Sequence, residues 1–222
     1  MIVLTGLSIS FADAQEATFA SSKRQLSVIY QNHPETFYCG CSIDYTNAKA
    51  SPDLDSCFYK ARKQVKRANR IEWEHVVPAS ILGGNLACWT QGGRKACKKD
   101  PVFSEMESDM HNLVPSIGEV NGDRSNRRFG YVANEPRAYG ACDFEIDFGT
   151  DLVEPREEVR GDIARIWKYA QARYSVVLSS EENKMFDTWD RLDPVSRWEC
   201  EKDKIVLRLQ GNSNPFVSND CQ

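Results

Sequence analysis

No apolar run in this chain of 222 residues approaches the roughly 20 residues of a membrane span, which argues against a helical membrane protein. No C-x2-C pair occurs, and Cys39-Gly40-Cys41 is too tight for the usual zinc finger, so the cysteines do not read as a metal site. Internal repeats and low-complexity tracts are missing, and so are helix-turn-helix, zinc-finger and RRM signatures. Nothing in the chain is therefore built to read a base sequence. Only three histidines are present, His33, His75 and His111, so imidazole chemistry has few possible locations. The formal net charge of −4 excludes a uniformly basic surface.

What is present describes a globular protein, with 41% hydrophobic and 27% charged residues. The length suffices for one good core or two small ones. Met1 to Phe11 is a short apolar run followed by Ala12-Asp13-Ala14, an A-x-A cleavage signal. Residues 1–14 are expected to be a signal peptide cut before Gln15, leaving 15–222 as a single domain. Eight cysteines, an even number behind a leader, imply up to four disulfides and an oxidising compartment, periplasmic or extracellular. Short loops favour Cys88–Cys97 and Cys200–Cys221, while Cys39, Cys41, Cys57 and Cys142 cannot be paired from the sequence.

Charge is unevenly distributed. Lys60, Arg62, Lys63, Lys66, Arg67 and Arg70 fall in a stretch without acids; Arg94, Lys95, Lys98 and Lys99 form a second group, and Arg124, Arg127 and Arg128 a third. Acids concentrate at 143–158 and 181–203. This polarity can aim one face at a polyanion, or leave three solvated faces that never meet. Apolar spacing predicts a helix over 17–31, a half-buried strand at 144–148 with a solvated acidic edge, and a helix opened by Pro155. A further helix starts near Ser179 with Glu182 completing a capping box and Met185, Phe186, Trp189 and Leu192 inside. Trp198 to Leu209 adds a last helix.

Arg70 to Ala79 (RIEWEHVVPA) carries the strongest chemical signal. Trp73, Val76 and Val77 favour a strand that Pro78 closes, with Glu74 and His75 adjacent at its end. Glu74-His75 on a strand, Arg94 after a glycine-rich turn, and Asn121 on a short helix over 117–124 outline a ββα-metal site. His111 reads as a hydrogen-bonded core residue, Glu72 as paired with a nearby base, Trp73 as core, and Asp123 and Arg124 as partners of each other. Asn112 and Asn126 compete with Asn121 for the role of ligand. The basic stretches alone would equally serve a secreted, non-catalytic polyanion binder.

These segments, with FYCGC at 37–41, QGGRK at 91–95, MESDMHNL at 106–113, GEVNGDRSN at 118–126 and GNSNPFV at 211–217, give the chain its resemblance to a known group. It resembles the bacterial endonuclease I family, exported non-specific nucleases of the His-Me finger type. The likeness covers nearly the whole mature chain and is densest at 70–126. It implies an α+β fold, with a ββα-metal core embedded in a mainly helical, disulfide-stapled domain. It also implies Mg²⁺ held by Glu74 and Asn121, with Mn²⁺ or Ca²⁺ able to take its place. His75 would be the unligated general base, Arg94 the grip on phosphate and Glu107 an acidic residue of the outer shell. The expected substrates are DNA and RNA, cut by a monomer without sequence preference to leave 5′-phosphate ends.

Overall fold

The computed structural model describes residues 18–134 and 136–221; the expected leader and its cleavage point before Gln15 lie outside them. Helix α1 (Phe19–Ile29) opens on a capping box between Thr18 and Ser21 and buries Ser22, Leu26 and Ile29 along one stripe. Strands β1 (Ile43–Asp44) and β2 (Ser51–Pro52) form a small antiparallel pair, and the single turn α2 (Val65–Ala68) leads into β3 (Ile71–His75). Helices α3 (Ala79–Gly83), α4 (Ala87–Cys97) and α5 (Pro101–Ser108) separate β3 from β4 (Leu113–Ile117). Helix α6 (Gly118–Arg124) follows β4 without a gap. Then come β5 (Arg128–Phe129), β6 (Phe144–Asp147) and β7 (Leu152–Pro155). Four helices complete the chain: α7 (Arg160–Tyr174), α8 (Ser180–Leu192), α9 (Arg197–Gln210) and α10 (Pro215–Ser218). The mixture is α+β, with helices predominating.

Strands β3 and β4 pair antiparallel, with Glu74 opposite Val114 and His75 opposite Leu113. Helix α6 packs back on both strands and on α2. Two strands separated by three helices thus pair and are covered by the helix that follows the second, a unit that carries Glu74, His75 and Asn121. A second sheet has the order β5-β7-β6, with Ile146 opposite Val153. Against it lies the main core, in which Trp167, Phe186, Trp189, Phe144 and Tyr38 are all at most 1% exposed. Helices α7 and α8 pack along each other.

All eight cysteines are paired. Cys88–Cys97 and Cys200–Cys221 form as expected, and the open pairs resolve as Cys39–Cys142 and Cys41–Cys57. The first spans 103 residues and ties the loop before β1 to the start of β6. Three expectations need correction. Pro155 ends β7, where a missing N–H is tolerated, and α7 starts at Arg160 after extended Arg156 and a 3-10 turn at Glu157–Val159. Leu192 lies in the last turn of α8 and is 74% exposed; Phe186 and Trp189 supply that helix's buried face. Glu145 is not on a solvated edge but 1% exposed, with Arg137 3.5 Å away.

The capping box at α8 is present, with Ser179 accepting from Glu182 N at 3.1 Å and Glu182 accepting from Ser179 N at 2.8 Å. Ser179→Ala removes half of it and is expected to lower stability by about 1 kcal/mol. Urea unfolding of both proteins measures this; a change in midpoint too small to resolve would show that α8 is held by packing alone.

Candidate active site

An open cavity of about 660 Å³ lies where β3, α6 and the first turn of α1 meet. Glu72, Glu74, His75, Arg94 and Asn121 all line it. Strict alternation would send His75 away from Glu74. His75 is the last residue of β3, and beyond it the chain leaves β4 for Pro78 and α3, so both side chains reach one space.

His75 is 7% exposed, and its Nε2 lies 2.8 Å from the carbonyl oxygen of Glu107. A carbonyl only accepts, so Nε2 carries the proton and Nδ1 keeps its lone pair. Burial, reinforced by the charges of Arg94 and Arg124, drives the imidazole pKa down to about 4 against the Glu107 hydrogen bond. The ring is therefore neutral at physiological pH, able to take a proton. Phe19 of α1 packs against it with ring centroids 4.9 Å apart, and Lys23 and Arg94 stack over Phe19.

Glu74 is 3% exposed. Both of its hydrogen bonds fall on Oε1, from the Tyr38 hydroxyl at 3.2 Å and from Arg124 Nη1 at 2.9 Å. Among the described residues Oε2 accepts none. Burial raises the Glu74 pKa to about 7, with Arg124 and Tyr38 opposing the rise. The carboxylate thus keeps one oxygen free as an acceptor beside the cavity. Asn121 projects from α6 into the same cavity, its Nδ2 donating to Glu72 Oε2 at 3.1 Å and its Oδ1 accepting nothing among the described residues.

Helix α4 breaks at Gly92-Gly93, where Gly93 adopts φ +61°, a left-handed conformation that a side chain would strain. The break aims the next residue, Arg94, at the cavity. Its Nε donates to Glu107 Oε1 at 2.5 Å, and its side chain stays 45% exposed, leaving the Nη donors for a ligand. Glu107 touches both partners, His75 through its backbone and Arg94 through its carboxylate, without lining the cavity itself.

The competing asparagines separate cleanly. Asn112 is 2% exposed and spends its amide on Val77, accepting from its N–H at 2.7 Å and donating to its carbonyl at 2.9 Å. Asn126 lines the cavity but lies beyond the end of α6, after Ser125 turns the chain at φ +50°. His111 is buried away from the cavity, with Nε2 3.0 Å from the Asn212 carbonyl oxygen. Trp73 is only partly buried, packs edge-on against Tyr30, and also lines the cavity.

Asp123 and Arg124 do not pair with each other. Asp123 accepts from Arg62 and the Tyr139 hydroxyl, whereas Arg124 runs beneath the site to Glu74. Helical geometry explains this, since consecutive residues point apart. Asn121 and Arg124, three apart, share the face toward β3, and that spacing was the sequence signal available for finding Arg124. Of the basic groups, Arg67, Arg94 and Lys23 converge on the cavity, and Arg124 is buried below it. Glu119, 0% exposed, anchors the first basic stretch by accepting from the backbone N–H groups of Arg62, Lys63 and Gln64. A second cavity of about 270 Å³ mixes six acidic side chains with Arg156, Lys202, His33 and His111.

Among the described residues no three His, Cys, Asp or Glu side chains converge to hold a metal ion. A hard ion such as Mg²⁺, which takes one or two protein oxygens and keeps several waters, fits the free oxygens of Glu74 and Asn121.

An α+β scaffold stapled by four disulfides, with a neutral imidazole, a carboxylate, a carboxamide and arginines on one open cavity, defines a disulfide-stabilised protein with a site suited to phosphate esters. The chain belongs to the endonuclease I family, whose model, described as Endonuclease I, matches residues 16–221. It is 52% identical to an extracellular deoxyribonuclease of Aeromonas hydrophila, over 92% of this chain and 91% of that one. A periplasmic deoxyribonuclease of Aeromonas hydrophila is 51% identical over 94% of this chain and 89% of its own. Endonuclease-1 of Buchnera aphidicola subsp. Acyrthosiphon pisum (strain APS) is 49% identical over 87% and 77%. The protein is periplasmic or secreted, consistent with its paired cysteines.

Proposed function

We propose that this protein is a metal-dependent endonuclease of the His-Me finger type, which hydrolyses DNA and RNA without sequence preference. The names of its relatives support DNA as a substrate. The observation that carries the reading is His75, neutral and held through Nε2 by the Glu107 carbonyl beside a carboxylate with a free oxygen. Nδ1 of His75 takes a proton from water, whose oxygen attacks phosphorus in line with the leaving 3′ oxygen. The bond from phosphorus to that oxygen breaks, giving a 5′-phosphate and, after protonation from solvent, a 3′-hydroxyl. Glu74 and Asn121 would hold Mg²⁺, or Mn²⁺ or Ca²⁺ in its place, which supplies positive charge against the charge building on the phosphate and the leaving oxygen. Arg94 grips the phosphate with its free Nη donors while Glu107 fixes its Nε.

Arg67, Arg94 and Lys23 offer contacts to the phosphate backbone, which carry no sequence information. The same reading takes residues 15–222 as one nuclease domain that acts as a monomer after loss of its leader.

Plasmid nicking tests the proposal. Activity is expected to vanish in EDTA and return with Mg²⁺, and Glu74→Ala is expected to raise the half-saturating Mg²⁺ and lower the rate together. Nicking that survives EDTA would remove the metal. Binding without nicking under any metal would leave a non-catalytic polyanion binder.

A further inference from the structure

Glu72 lies two residues before Glu74 on β3 and lines the same cavity. Three side chains hold its carboxylate. Arg67 forks onto it, Nε to Oε1 at 2.9 Å and Nη2 to Oε2 at 2.7 Å. Arg70 Nε donates to Oε1 at 2.8 Å. The third is Asn121, whose Nδ2 donates to Oε2 at 3.1 Å. An ionised carboxylate only accepts, so an amide that meets it must present its NH₂ and turn its oxygen elsewhere.

The packing around this contact is specific. A Cβ at Gly122, the residue after Asn121, would stand 1.9 Å from Arg67 Nη1 and 2.4 Å from its Cζ. The guanidinium can lie against α6 only because that residue has no side chain. At Gly118, one turn earlier, a Cβ would stand 2.9 Å from Glu72 Oε1. Helix, guanidinium and carboxylate are thus in direct contact where Asn121 enters the cavity.

We propose that Glu72, locked by Arg67 and Arg70, is a positioning residue that fixes the Asn121 amide so that its oxygen, and not its nitrogen, meets a divalent cation. The inference rests on the metal-dependent reading given above. Glu72 does not touch the reacting atoms; it removes the amide orientation that would present NH₂ to a cation. Partners of this kind usually change metal affinity by about 10–100-fold when removed.

Calorimetric titration of the full protein with Mn²⁺, alongside nicking rates across Mg²⁺ concentrations, tests the assignment. Glu72→Gln keeps the side-chain size and is expected to weaken Mn²⁺ binding about tenfold, with a smaller loss of rate at saturating metal. In an Asn121→Asp background both terminal atoms are oxygens, and there Glu72→Gln is expected to cost no affinity. Gly122→Ala, which must push the Arg67 guanidinium off the helix, is expected to weaken Mn²⁺ binding in the same sense and to lose that effect beside Asn121→Asp. Unchanged Mn²⁺ affinity in both Glu72→Gln and Gly122→Ala overturns the proposal. So does an equal loss in the two backgrounds, which would mark a general charge effect. If the unsubstituted protein binds no Mn²⁺ and nicks plasmid in EDTA, the metal-dependent reading itself fails and this one with it. If it binds Mn²⁺ and only the Glu72 arms disagree, the failure belongs to Glu72 alone.

Discussion

His75→Ala is expected to lower plasmid nicking by about 10²–10⁴-fold while duplex binding in EDTA persists. The expectation comes from where the ring sits and what each nitrogen touches. Nε2 is committed to the Glu107 carbonyl and Nδ1 is left for water. No other described imidazole can substitute, because His111 is buried away from the cavity and His33 stacks on Trp198. The phosphate-binding groups, Arg94, Arg67 and Lys23, are untouched, so affinity should survive. Alanine also leaves the Glu107 carbonyl without its donor, a loss of about 1–3 kcal/mol if no water replaces it. Thermal unfolding must therefore accompany the assay, to separate lost chemistry from lost protein. Added imidazole, which can refill the space beside Phe19, should restore part of the rate. Nicking within a few-fold of the unsubstituted protein would remove His75 as the base.

Much of this site was legible because its parts lie on local patterns. The run from Arg70 to Pro78 reads as a strand from its side chains alone; Ile71–His75 is one, and Val76 and Val77 lie just beyond its end. Asn121 lies on the short helix that the residues after Pro115 suggested, and that helix follows β4 directly. The two disulfides closing short loops were readable from spacing. Cys39–Cys142 was not, because its partners are 103 residues apart and chain order says nothing about which loops meet. The same limit hid the carbonyl of Glu107, which holds His75 across 32 residues through an atom that every residue possesses. Only the family resemblance marked Glu107 as an acid near the site, and its backbone role carries no side-chain signature. The helix boundary at Pro155 failed for another reason. Proline suits both the first turn of a helix and the end of a strand, and pairing with β6 decided for the strand. Glu145 was misplaced because alternation in a strand marks two faces without saying whether the second is covered.

Arg124→Met is expected to be among the costliest single substitutions for the fold, lowering stability by about 3–5 kcal/mol. Arg124 is 0% exposed, and its guanidinium serves three acceptors at once. Nη1 donates to Glu74 Oε1 at 2.9 Å and to the His75 carbonyl at 2.8 Å, and Nη2 donates to the Val76 carbonyl. It also lies over the Phe129 ring at 4.8 Å. Methionine preserves much of the packing but leaves a buried carboxylate without its cation and two carbonyls without donors. The ion pair is not the whole cost, and a double replacement separates the parts. Glu74→Gln/Arg124→Met removes the stranded charge, so it should be less damaging than the sum of the two single changes, while the two carbonyls keep it well below the unsubstituted protein. Arg124→Lys should fall between, because one ammonium cannot span three acceptors as a planar fork does. Urea unfolding of the unsubstituted protein and the four variants measures each arm. A loss below about 1 kcal/mol for Arg124→Met would show that water replaces the guanidinium, and that the strand end carrying Glu74 and His75 is held in place by packing instead.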